Sequence, residues 1–102
     1  MHMSHQHLAP GLLFGWFDDD KKKSVADKIR EGAERFEDKF GKPAGKCLIN
    51  AGDFNKLIAE VYGTSGPARE GVIDYALVFG IRVEVRSYIR PCHYWLGEAN
   101  YE

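Results

Sequence analysis

"GIRVEVRSYIRPCHYWLGE", residues 80–98, decides how this chain is read. Successive side chains of a strand point to opposite faces, and this stretch keeps two phases cleanly apart. Ile81, Val83, Val85, Ser87 and Ile89 form the natural inward set, while Arg82, Glu84, Arg86, Tyr88 and Arg90 alternate with them. A strand over 81–89, a turn at Pro91–Cys92 and a strand over 93–98 make a C-terminal hairpin. With a two-residue turn, Arg90 faces His93 and Tyr88 faces Trp95. The outer surface then collects three arginines, a tyrosine, a histidine and a tryptophan. Proline at the first turn position suits types I and II, whose twist fits two-residue hairpins poorly. A longer loop swaps the faces of the last strand and buries Trp95 instead. The sequence leaves both arrangements open.

Working outward, "VIDYALVF" (72–79) is rich in β-branched and aromatic residues, which favours a strand but also fits a buried helix. "TSGPAREG" (64–71) is a loop. Before it, Phe54, Leu57, Ile58, Val61 and Tyr62 recur at helical spacing and Gly63 closes the helix. "KCLIN" (46–50) is short, apolar and flanked by turn residues, as expected of a buried strand. Further upstream, Val25, Ile29, Ala33, Phe36 and Phe40 share one face of a longer helix that stops at Gly41 and Pro43. Asp18 to Asp20 suit its positive end, and Ser24 with Asp27 resembles a capping box. Gly32 in its middle costs about 1 kcal/mol of helix propensity and marks a site of close packing. "GLLFGWF" (11–17) is too apolar to stay wet, so Leu13, Phe14, Trp16 and Phe17 are expected to dock on the domain or on a partner. Residues 1–10 read as a mobile tail. Its His2, His5 and His7 can collect a transition metal, although a solvated tail or a relic of cloning explains them more simply.

At 102 residues, 44% apolar and 28% charged, the chain has the composition of one soluble domain. A net charge of −1 gives no bulk field to attract nucleic acid or an anionic membrane. The apolar runs are far too short to span a bilayer, and "MHMSHQHLAP" has no basic region leading into an apolar one. Two cysteines indicate no disulfide framework, so a cytoplasmic location is expected.

Adjacent Cys92 and His93 point to opposite faces if both lie in a strand, which prevents a thiolate–imidazolium pair between them. Cys47 on a neighbouring strand can approach His93. Cys47, Cys92 and His93 therefore define an enzyme alternative, zinc- or thiol-dependent, with three ligands at most and no paired C-x-x-C spacing. Glu31, Glu34, Glu37 and Asp38 sit among basic residues on a solvated helix face. "GKPAGK" precedes its strand and lacks phosphate-loop spacing, and "NAGD" opens a helix that Asn50 or Asp53 caps. No catalytic residue, metal or cofactor is assigned.

The order "CLINAGDFNKL", a variable loop, "FGIRVEVRSYIRP" and "YWLGE" resembles the peripheral domain of tailed-phage major capsid proteins over residues 24–98. That likeness implies a spine helix, a strand ending in Asn, a short helix, a G-x-x-V strand and a closing G-E strand. A second likeness is to small uncharacterised bacterial proteins carrying "L-x-N-x-x-D" and "P-x-H-[FY]-x-[LI]-G". Here these are Leu48, Asn50 and Asp53, with Pro91, His93, Tyr94, Leu96 and Gly97. It implies a shape only.

The expected fold is α+β: a long N-terminal helix and a short second helix on one face of a small three- to four-stranded mixed sheet with a C-terminal hairpin. Residues 1–17 are expected to form the tail and docking segment, and 18–102 a single domain. The expected function is non-catalytic, as an interaction or structural subunit of a larger prokaryotic or phage-derived assembly. It would contact a protein partner or a second copy through Arg82, Arg86, Tyr88, Arg90, His93 and Trp95. A nucleic-acid-binding accessory is a further alternative, because arginine and aromatic rings also stack on single strands. No membrane association is expected.

Overall fold

Seven elements follow one another in the computed structural model, which describes residues 12–63 and 75–99. They are β1 (Leu13–Phe17), α1 (Val25–Phe40), β2 (Lys46–Ile49), α2 (Ala51–Tyr62), β3 (Tyr75–Val78), β4 (Ile81–Val85) and β5 (His93–Gly97). The expected tail, the 64–71 loop and residues 72–74 of the ambiguous segment lie outside the described residues; its remainder holds strand β3. No helix among the described residues is long and apolar enough to cross a membrane.

Both helices begin and end on chemistry visible in the sequence. Ser24 caps α1 by accepting from the Asp27 N–H at 3.0 Å. The Glu60 carboxylate, reaching across from α2, accepts the Val25 and Ala26 N–H groups at 2.8 and 3.0 Å. Three of the donors that a helix start leaves without partners are thereby satisfied. Gly41 ends α1 in the left-handed region, φ 75°, and donates to the Glu37 carbonyl. Asn50 caps α2 through the Gly52 N–H at 2.8 Å. Asp53, the other expected cap, turns instead toward the β4–β5 connection and accepts the Cys92 N–H at 2.8 Å.

The sheet is larger than expected and ordered differently. Among the described residues it has five strands in the order β1-β5-β2-β4-β3. β4 pairs parallel to β2, and the other neighbours are antiparallel. The expected hairpin of 81–89 with 93–98 is not formed, because β2 lies between β4 and β5. β4 ends at Val85, and residues 86–92 cross the end of β2 rather than turning tightly. Two hydrogen bonds fix that crossing: Arg86 N–H to the Ile49 carbonyl at 3.0 Å, and the Asn50 side-chain amide to the Ile89 carbonyl at 2.9 Å. Beyond the strand the alternation breaks: Ser87, expected inward, is exposed, whereas Ile89 is buried as a loop residue. The hairpin that does form joins β3 to β4 through Phe79 and Gly80, both at positive φ, the geometry of a type I′ turn.

Leu13–Phe17 forms β1, which among the described residues pairs with β5 alone and lies at the edge of the sheet. α1 lies over β5 and β1, α2 over β4, and the helices touch each other. The sheet face beneath them carries the cross-strand rows Phe14–Leu96–Cys47–Val83–Ala76 and Trp16–Tyr94–Ile49–Val85. Ile29 and Phe36 of α1 and Phe54, Leu57 and Ile58 of α2 close this core. Burying each such side chain contributes about 1.5–3 kcal/mol. Gly32 sits where α1 comes closest: a Cβ there would lie 2.8 Å from Leu96 Cδ2 and 2.9 Å from Trp16 Cδ1.

Candidate functional site

With both helices on one side, the other face of the sheet has no covering layer among the described residues. Its side chains form two full cross-strand rows. One runs Leu13–Gly97–Lys46–Arg82–Leu77; the next runs Gly15–Trp95–Leu48–Glu84–Tyr75. Phe17 and His93 form a partial third row, their rings 4.9 Å apart.

Half of this surface is apolar. The Trp95 indole leans across β1, where the absence of a side chain at Gly15 admits it; a Cβ there would sit 2.9 Å from its ring. Trp95 keeps 37% exposure, and Leu48 beside it only 2%. Leu13, Leu48, Trp95 and Tyr88 line a hollow of about 270 Å³. The face thus carries a recess lined by aliphatic and aromatic side chains.

The other half is a charge cluster centred on Glu84. Its carboxylate accepts from Arg82 Nε and from Arg86 Nη2, the latter at 2.8 Å, with Lys46 Nζ 3.9 Å away. Burial works to raise its pKa, but the two guanidinium hydrogen bonds and the Lys46 field outweigh it and hold the carboxyl below the usual carboxylate range. Arg82 also stacks over the Tyr75 ring at 3.7 Å, a cation–π contact. Three cations surround one carboxylate, so this half is net positive and preorganised.

Of the residues expected to bind a partner, Arg82, His93 and Trp95 lie on the uncovered face. Arg86 reaches Glu84 just beyond the end of β4, and Tyr88 meets Trp95 across the hollow rather than as a paired strand residue. Arg90 is exposed in the β4–β5 connection, outside these rows. His93 Nδ1 is 2.9 Å from the Pro91 carbonyl. Of the docking residues, Phe14 and Trp16 pack against the core, whereas Leu13 and Phe17 point to the uncovered face. Leu48, Lys46, Tyr75 and Leu77 complete the face without having been foreseen. The signal for the first two is strand phase within "KCLI", which three consecutive apolar residues mask.

Residues of the enzyme alternative are held apart. Cys47 belongs to a core row and is fully buried, which pushes its thiol well up. His93 belongs to the opposite face, and Cys92 sits in the connection with φ 67°. The sheet itself separates Cys47 from His93, so the approach that the alternative requires does not occur. Among the described residues no three His, Cys, Asp or Glu side chains cluster as metal ligands. No family model, curated protein or solved structure matches this chain.

Proposed function

We propose that this protein is a non-catalytic docking subunit of a larger assembly, and that it holds a protein segment on the uncovered sheet face. The occupant has an apolar side chain that enters the hollow between Trp95 and Tyr88, with acidic residues nearby that meet Arg82, Arg86 and Lys46. The observation that carries this reading is the hollow floored by Leu48 beside the net-positive Glu84 cluster. Aromatic pockets next to arginine are where binding energy concentrates in protein interfaces. A preformed recess with fixed guanidinium groups also loses little side-chain entropy on binding.

A random peptide display library selected on the purified protein tests this. The expected result is enrichment of peptides joining a Leu, Phe or Met to Asp or Glu, with binding lost on Trp95→Ala at unchanged helix content. No enrichment over Trp95→Ala would refute the reading. Two other results would replace it. Tight single-stranded DNA binding that weakens steeply with salt would make the same rings a nucleic-acid platform. A dimer in light scattering that dissociates on Trp95→Ala would make the occupant a second copy.

A further inference from the structure

On the helix side of the sheet lies a cavity of about 500 Å³, independent of the docking face. β1 runs antiparallel to β5 and β5 antiparallel to β2, so β1, β2 and β4 share one direction. Segments leaving the carboxyl ends of all three contribute to the lining: Asp19, Lys21 and Lys23 after β1, Asp53 after β2, and Cys92 after β4. Open sheets with helices bind ligands outside the carboxyl ends of such strands, and this volume lies within the range of small-molecule sites.

The decisive residue is Lys28. It lines the cavity, is only 7% exposed, and its side chain makes no hydrogen bond or ion pair with the described residues. It shares a field with Asp18, and the cavity lining sets four lysines against the three carboxylates of Asp19, Asp53 and Glu60. Its ammonium opens onto the cavity without a hydrogen-bonded carboxylate, so an anion entering there can take it as a charge-assisted donor. Two of the three lining carboxylates are committed elsewhere, and Asp19 at the rim is not. Glu60 uses both oxygens on the first N–H groups of α1, and Asp53 accepts the Cys92 N–H. Lys23 is held by Asp18 and Glu31, whereas Lys21 and Lys56 line the cavity with no ion pair among the described residues. Cys92 is kept at φ 67° by its bond to Asp53, a backbone strain of the kind that shapes ligand sites.

We propose that this cavity binds a phosphate group, carried on a small phosphomonoester, with Lys28 as its central cation and Lys56 and Lys21 at its edge. A dianion with three terminal oxygens matches several ammonium point charges better than a single carboxylate does. The test is amide NMR titration of the full chain with inorganic phosphate, then ribose 5-phosphate, then acetate, at constant ionic strength. The expected result is saturable shifts at Lys28, Asp53, Lys56 and Cys92, tighter for ribose 5-phosphate than for phosphate and weakest for acetate. Lys28→Met weakens phosphate binding roughly tenfold or more, while Lys28→Arg stays within a few-fold of wild type. Non-saturating shifts, or equal affinity in Lys28→Met, would overturn the site. Acetate binding as tightly as phosphate would overturn the ligand class. Should Lys28→Met fail to fold, Lys56→Met replaces it, and unchanged phosphate affinity there counts against the proposal.

Discussion

Replacing Gly32 by alanine probes the seat of α1 on the sheet. In an open helix this change stabilises by about 1 kcal/mol, since glycine is the poorer helix former. Here the added methyl would meet Leu96 Cδ2 at 2.8 Å and Trp16 at 2.9 Å. Leu96 is fully buried and Trp16 packs against the core, so both resist displacement by the added methyl. Overpacking of this kind costs about 1–3 kcal/mol. Subtracting the propensity gain leaves a net loss of about 1 kcal/mol, which in a domain of this size lowers Tm by about 4–8 °C. Urea and thermal unfolding followed by circular dichroism measure it. A Trp16→Ala background removes the obstructing Cγ and Cδ1 atoms, and there the same glycine replacement should cost measurably less, the mark of direct contact in a double-mutant cycle. If Gly32→Ala raises stability by about 1 kcal/mol in the wild-type background, α1 does not approach β1 and β5 as described.

Three further substitutions test separate features. Glu84→Gln should destabilise by about 1–2 kcal/mol at neutral pH, because it removes charge-assisted bonds to Arg82 and Arg86. The folded carboxyl lies below its ordinary value of 4.5, so this stabilisation is present above pH 4.5 and fades as pH falls through the lowered value. Unfolding curves of the two proteins that fail to converge in acid would exclude that origin. Phe79→Asn should stabilise by about 0.5–1 kcal/mol, since an exposed phenylalanine at φ 54° occupies a turn position that asparagine adopts readily; a lower urea midpoint would contradict it. The Tyr94 hydroxyl is fully buried without a hydrogen-bond partner among the described residues. Tyr94→Phe should therefore be neutral or stabilising by up to about 1 kcal/mol, and a loss above about 1 kcal/mol in urea unfolding would reveal a partner for that oxygen.

Local chemistry made the helices legible. Ser24, Asn50, Gly41 and Gly63 punctuate them, and 3.6-residue periodicity selects their buried faces. Strand phase was readable as far as the strand runs: of the expected inward set Ile81, Val83 and Ile89 are buried and Val85 partly so, while Ser87, beyond the end of β4, is exposed. Strand neighbours were not readable, because alternation records which face a side chain takes and says nothing about which strand lies beside it. Ile89 illustrates the limit, buried in a connection that has already left the sheet. "GLLFGWF" concealed β1 because both of its faces are apolar, Phe14 and Trp16 toward the core and Leu13 and Phe17 away from it. The Lys28 cavity is assembled from α1, α2 and two separate loops, and no single window of sequence contains it.

Among the described residues β1 has one neighbour in the sheet, and Leu13 of β1 pairs with Gly97 of β5. During synthesis on the ribosome, Phe14 and Trp16 therefore emerge long before the strand that secures them is translated. α1 and α2 can form early from their own local signals, but the nascent chain carries an unpaired aromatic edge until residues 93–97 have cleared the exit tunnel. Such edges recruit other chains, so the interval before β5 emerges is when this topology is most open to misassociation.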